Sequence, residues 1–563
     1  IYAYKSNVYG YNSGKIAVGE NGTGIYAKDS TVYLDDLEMN LKGDKAVGFY
    51  LDGTTNFTGT GNVNIDGKGI IVFNVVGTGT FDQNFNISST ADSSYTFQNL
   101  KNKTSYYNST ASLGQGGVFI SGLNSAVLLD QNSNLSSTNS NLVALALDGS
   151  YPGLTTINGI PVSHEATNKG IISFGDTSVG LYTLNGASAL NEGIISLGNN
   201  SEGLFGDGTG TSVINAGNIS LGEQSTGLYL KNGDQITNNG DISSNGSKTV
   251  GLFLEGAAAS TANNTGTINL FGNATIGIYG GGEVSQTINN SGAIVIGDSY
   301  DEANPGVGIY NDNINGIVNN SGNITSGKNS VGIYNNGGSI NYLSGDMETG
   351  ANSVGIYTAS GSLNLGSGKL KLAGSDSVAI YAKDGASIDN NLELEIAENG
   401  YGVILNSGSD LINRNKTTAG ENIVAIYSNG LNTVLNEVNA DIKMTGSNSI
   451  AFYMENGGNL VNKALITGDN GISNIGIYAK LGKVDNSGDI KLGDSLIIDP
   501  EDPTKNFYSV GIYGENLQEM KNTGKIEIGW HGIGLYSKEN KNEILNTGDI
   551  IYDSEDAVGI YAM

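Results

Sequence analysis

The sequence predicts an all-β chain: a right-handed parallel β-helix with three strands per coil of about 24 residues. Two recurring phrases at fixed relative positions predict it, together with a composition suited to short strands and tight turns. Of 563 residues, 85 are Gly, only five are Pro and none is Cys, and 38% are hydrophobic, which argues against disorder. Twenty-seven Lys and Arg against 55 Asp and Glu leave a net charge of −28. Nucleic acid and anionic membrane surfaces are therefore disfavoured as partners, because phosphates need clustered cations. Apolar runs such as Ile70–Phe73 stop far short of the roughly 20 residues that a spanning helix requires.

The first phrase is a small residue, an aliphatic and an aromatic, usually led by Val or Ile. It reads Val331-Gly332-Ile333-Tyr334, Val354-Gly355-Ile356-Tyr357, Val378-Ala379-Ile380-Tyr381 and Val510-Gly511-Ile512-Tyr513, among other copies. From Gly180 onward successive copies are mostly 23 to 26 residues apart, with gaps of 31 before Gly308 and 35 before Gly511. Segments this short cannot be helices, and Val, Ile and Tyr favour pleated surfaces. Strict alternation would point Val and Ile inward and leave Gly and Tyr outside, with Tyr covering neighbouring glycines.

The second phrase is an aliphatic, a polar residue, Asn, Ser or Thr, Gly, any residue, then Ile. Val318-Asn319-Asn320-Ser321-Gly322-Asn323-Ile324 and Val484-Asp485-Asn486-Ser487-Gly488-Asp489-Ile490 are examples. Its Asn should form a hydrogen-bonded ladder at a corner and adopt left-handed backbone angles there. One further alternation and a Gly turn, as in Ile294-Val295-Ile296-Gly297-Asp298, close the period. A lone coil cannot offset the entropy of ordering itself, so the fold is expected only as an array.

Residues 1–74 and 166–563 follow this pattern, whereas 75–165 nearly lose it and are expected to be drifted coils or a protruding subdomain. Both long gaps are expected after the coil's second strand, as insertions at 297–305 and 493–508. Eight phrase copies separate them, about 38 Å at 4.8 Å per coil. The chain starts and stops inside the first phrase, as an excerpt from a longer solenoid would.

The two phrases resemble the passenger regions of very large bacterial autotransporter adhesins, most closely the fusobacterial outer-membrane ones. The resemblance implies a secreted, cell-surface β-helix held by a C-terminal membrane β-barrel elsewhere in the polypeptide. It further implies attachment to host cells or other bacteria through surface glycans or receptor proteins. Absence of Cys agrees, since a periplasmic disulfide would hinder threading through a pore.

Regular coils read as scaffold, so departures from the period are the candidate contact sites. They contain Tyr106, Tyr107 and Tyr151 in the irregular stretch, Tyr300 and Asp301 in one insertion, and Phe507 and Tyr508 in the other. Trp530 and His531 occupy the same turn in a coil of ordinary length. Each has a plainer reading as tolerated loop or structural cover. Two alternatives stand beside adhesion: a stalk of at most about 110 Å that projects a tip located elsewhere, and a carbohydrate-active enzyme. The enzyme is disfavoured. Asp176, Asp298 and Asp494 lie in Gly-Asp turns that favour Asp for backbone reasons, and Arg414 with two separated His offers little cationic chemistry. No cofactor or resident metal is expected.

Overall fold

A computed structural model of the chain describes residues 1–89, 95–101, 104–107, 110–123, 126–149, 156–157, 160–161, 165–257, 259–539, 544–552, 554 and 556–563, with backbone alone for 95–101, 104–107, 156–157 and 160–161. The described residues form strands, apart from turns and one 3₁₀ turn at Pro503–Lys505. Contacts divide the chain into two units, 1–272 with 277–284, and 273–276 with 285–563. Each is a parallel β-solenoid, and the two hold about 22 coils of about 24 residues.

One coil of the second unit shows how the phrases build it. Val354–Thr358 is the first strand, Gly361–Leu365 the second and Lys369–Leu372 the third. Each pairs in parallel with its equivalents on either side, so that Ile333, Ile356 and Ile380 stand in register, as do Tyr334, Tyr357 and Tyr381. The Ile column continues through Val403, Ile426 and Phe452, and none of these six side chains has any solvent exposure. Leu181, Leu204, Leu228 and Leu252 form the matching column of the first unit.

In the first unit, parallel pairing also runs through the stretch where the phrases fade. Ile71–Val75, Tyr95–Lys101, Val118–Leu123 and Val143–Asp148 pair in succession. Thr156–Ile157 and Ile160–Pro161 form a separate antiparallel pair.

Three details correct the sequence expectation. First, the glycine of the leading phrase faces inward, because strict alternation breaks beside it: Gly355 and Ile356 are both buried, while Val354 and Tyr357 are half-exposed. A Cβ on Gly308 would lie 2.9 Å from Ile324 Cγ2, and one on Gly511 would lie 2.8 Å from Ile526 Cγ2. The small residue of the first phrase thus makes room for the final Ile of the second. The tyrosines cover one another, not the glycines.

Second, the Asn ladder forms, but its members have strand backbone. In the run Asn390, Asn413, Asn436, Asn462, Asn486, Asn522 and Asn546, each of the first six donates Nδ2–H to the Oδ1 of the next at 2.7–2.8 Å. In the first unit Asn168, Asn191, Asn215 and Asn238 donate onward in the same way, the last to Asn264 Oδ1. Left-handed angles fall instead at the corner before the first strand, at Asn329, Asn352, Asn399, Asn422 and Asn448, with φ between 52° and 56°. There a short side chain satisfies the turn without steric cost to a strand. Third, both insertions follow the third strand, not the second: 297–305 lies between Ala293–Ile296 and Gly306–Asn311, and 493–508 between Ile490–Leu492 and the strand that starts at Val510.

Candidate functional site

The corner between third and first strands is built the same way in coil after coil, which makes its exceptions legible. Four residues before the small residue of the phrase is a corner position that is exposed at Lys328, Glu398 and Glu421 and half-buried at Ala351, Ser375 and Ser447; the left-handed residue follows it. At several corners a turn carboxylate or amide accepts a backbone N–H from the next coil. Asp176 Oδ1 accepts the Asn199 N–H at 2.7 Å, Asp298 Oδ1 the Lys328 N–H at 2.8 Å, and Asp494 Oδ1 the Trp530 N–H at 2.7 Å. These carboxylates therefore stitch coils together.

At 493–508 the corner is replaced by a small bonded hairpin. Leu496 and Phe507 exchange N–H···O bonds of 2.8 and 2.9 Å. Asn506 holds the tip: its Oδ1 accepts from the Ile498 and Asp499 N–H groups at 2.8 and 2.9 Å, and its Nδ2 donates to Asp499 O at 3.0 Å. Asp502 caps the 3₁₀ turn, accepting from the Thr504 N–H at 3.2 Å and its hydroxyl at 2.6 Å. Lys505 Nζ lies 2.8 Å from Asp499 and 3.3 Å from Asp502. The Lys505 ammonium holds the Asp499 carboxyl below the usual range, and the Thr504 hydroxyl and N–H do the same for Asp502.

Both neighbouring coils grip the hairpin's base. On one side Ser473 donates its N–H to Asp494 O at 2.9 Å and its hydroxyl to Phe507 O at 3.0 Å. On the other, Ser495 donates its N–H to Trp530 O and its hydroxyl to His531 O, each at 2.9 Å. Phe507, Tyr508, Trp530 and His531 are thereby brought to adjoining coils. Phe507 is 55% exposed and Trp530 46%; Tyr508 is half-buried. His531 takes the left-handed position, packs its ring edge-on to Trp530 at 4.0 Å, and lies 3.8 Å from the Asp556 carboxylate.

The other candidates are not part of this cluster. Tyr300 is 81% exposed, and Asp301 is spent within its own loop, accepting from the Asn304 N–H at 2.9 Å. That loop lies eight coils away, about 38 Å along the second unit. Tyr106 and Tyr107 lie on the strand Thr104–Tyr107, but their side chains, like all of Tyr151 and His164, lie outside the described residues.

Where the Tyr rings stack in parallel, their own packing leaves no face for a ligand; between Tyr401 and Tyr478 successive rings meet edge-on instead. Rings of Tyr310, Tyr334 and Tyr357 follow one another at 4.6 and 4.7 Å, and those of Tyr478, Tyr513 and Tyr536 at 4.5 and 4.7 Å, all within 17° of parallel. Their faces are occupied by one another. Burial pushes the Tyr310 phenol up to about 12. Arg414 clamps Asp389 of the preceding coil at 2.5 and 3.1 Å. Among the described residues no three His, Asp or Glu converge as metal ligands.

Sequence reasoning missed Ile472, Leu496 and Ile498, which are 39%, 38% and 58% exposed and surround the hairpin. For Ile472 the signal was available: it stands four residues before Gly476, as Trp530 stands four before Gly534.

A family model described as the BigA third pectate lyase-like domain matches residues 330–563, the stretch that holds the hairpin and Trp530. No curated protein and no solved structure matches the chain. The matched stretch is thus similar to a β-helix domain, and in that description "pectate lyase-like" is a statement of fold.

Proposed function

We propose that this chain is a cell-surface adhesin segment of a bacterial autotransporter passenger, in which the solenoid is scaffold and the 493–508 hairpin with the Trp530 corner makes contact. Its partner is a glycan or receptor protein on host cells or other bacteria, and a membrane β-barrel elsewhere in the polypeptide anchors it. The repeat pattern, the extreme acidity and the similarity to a BigA β-helix domain all fit a surface repeat region. One observation carries the reading: the 493–508 corner is internally bonded, gripped by both neighbouring coils, and presents exposed Phe507 beside exposed Trp530. A loop that is merely tolerated has no need of such order; a binding loop gains affinity from it. In this reading the chain binds and does not catalyse, since its turn carboxylates are committed to backbone N–H groups.

The test is attachment of the intact chain to epithelial cells and to bacterial cells, beside a variant whose 493–508 segment is replaced by an ordinary corner. Loss of attachment with unchanged thermal unfolding supports the site. Attachment that survives the replacement moves the contact elsewhere, and no attachment by the folded intact chain makes it stalk.

A further inference from the structure

The corner position four residues before the small residue is polar or small in the coils that precede the hairpin: Lys328, Ala351, Ser375, Glu398, Glu421 and Ser447. It becomes large and apolar at Ile472 and Trp530, on the two coils that sandwich the hairpin. Scaffold geometry does not require the change, because a corner with a left-handed residue at the same place closes on Lys and Glu elsewhere. Ile472, Leu496, Ile498, Phe507 and Trp530 thus expose hydrocarbon together across three adjoining coils, about 10 Å along the second unit. Exposed apolar patches rimmed by polar groups mark protein contacts.

The rim decides the kind of partner. The hairpin carries Asp494, Asp499, Glu501 and Asp502 against Lys505 alone, and Lys505 and Thr504 hold the Asp499 and Asp502 carboxyls below the usual range, which keeps them charged. Most polar groups of the hairpin already have protein partners, and the Glu501 carboxylate stands exposed as charge. The Asn506 amide is taken up by Ile498, Asp499 and Tyr508, Asp494 Oδ1 by the Trp530 N–H, and Asp499 and Asp502 by Lys505 and Thr504. A glycan needs free donors and acceptors placed around an aromatic face; a protein needs hydrocarbon with a complementary charged rim.

Resting on the reading of this corner as the contact site, we propose that its partner is a protein surface on which a large apolar side chain is ringed by Lys and Arg. The apolar residue would seat against Trp530, Phe507 and Ile472, and the cations against the hairpin carboxylates.

A random peptide display library panned on the intact chain tests this, with the peptides recovered then synthesised. Expected are sequences with a Trp, Phe, Leu or Ile flanked by Lys or Arg, whose affinity falls at least tenfold in Trp530→Ser and in Ile472→Ser. Raising the salt until the screening length shrinks to about 3 Å should also weaken them strongly. Both positions lie on regular coils that accept Ser at this corner, so the variants keep the fold, which thermal unfolding verifies. Recovery only of neutral or acidic peptides, indifference to both substitutions, or glycan-array binding that Trp530→Ser abolishes overturns the proposal. Cell attachment measured alongside separates the two ideas: attachment without cationic-peptide capture leaves adhesion standing and sinks this inference, and capture without attachment does the reverse.

Discussion

Asn462 offers a quantitative test of how the coils hold one another. It is fully buried, accepts Nδ2–H from Asn436 at 2.8 Å, donates to Asn486 Oδ1 at 2.7 Å, and donates to Ala464 O at 3.0 Å within its own turn. Asn462→Leu removes these bonds and leaves two ladder partners short, while Ala464 O also loses its side-chain donor: the Asn436 amide keeps only Ala440 O at 3.0 Å, and Asn486 Oδ1 loses its ladder donor. Stranding buried polar groups costs about 1–3 kcal/mol each, so the variant should lose about 2–5 kcal/mol. The double variant Asn436→Leu/Asn462→Leu again strands only two ladder ends, now Asn413 and Asn486. Its loss should therefore fall about 2–5 kcal/mol short of the sum of the single losses. Tyr342 and Leu365 already interrupt the ladder between Asn320 and Asn390, so a two-coil break is compatible with the fold. Hydrogen exchange of amides in 459–468 reads the local opening free energy where global unfolding of an array is not two-state. A change below about 0.5 kcal/mol for the single variant, or strict additivity in the pair, refutes the ladder's role.

Gly511→Val should destabilise by a few kcal/mol, about 1–3 or more, because its Cβ would meet Gly534 O at 2.5 Å and Ile526 Cγ2 at 2.8 Å. Gly511→Ala should cost less, since Ala379, Ala425 and Ala451 occupy this position naturally; equal losses in thermal unfolding would contradict the interlock. Alkaline titration followed by phenolate absorbance should show Tyr310 ionising near 12 instead of its ordinary 10. Because the folded state keeps that proton longer, its contribution to stability is whole below pH 10 and declines as pH rises toward 12. Its absence from a Tyr310→Phe difference spectrum in that range would count against the packed column. For the hairpin the sign reverses: Asp499 and Asp502 titrate below 3.8, so the order they confer is present above that value and is lost as pH falls through their lowered values. Limited proteolysis by an acid-active protease should open 496–507 under strongly acidic conditions and leave it intact near neutrality.

The fold was legible because stacking forces like onto like. Ile333, Ile356 and Ile380 had to recur at one spacing for a column to exist, and the Asn of the second phrase had to recur for a ladder. The direction of the glycine was not legible. Alternation presumes an unbroken strand, and the break between Gly355 and Ile356 answers to a third-strand side chain, Leu370, fifteen residues away. Placement of left-handed angles failed similarly, since Asn serves both as ladder and as corner in this chain and composition cannot separate the roles. Of the candidate site, Phe507 and Tyr508 announced themselves by lying in an insertion, and Trp530 and His531 as rare residues at the same corner. Their assembly around a bonded hairpin depended on Ser473 and Ser495, whose backbone-directed hydrogen bonds leave no mark in a serine-rich sequence. Ile472 was missed because aliphatic residues are expected everywhere in such a chain; only its corner register distinguishes it.

The central claim is that coil register resumes across 493–508, extruding that segment as a hairpin between coils. The cysteine-free chain allows a direct measurement. Tyr478 and Tyr513 are registered neighbours although 35 residues separate them, and adjacent parallel strands lie within disulfide reach. On mild oxidation Tyr478→Cys/Tyr513→Cys should close intramolecularly, while Tyr478→Cys/Asp502→Cys, spaced by an ordinary period of 24, should stay open. Closure of the second pair and not the first would contradict the account.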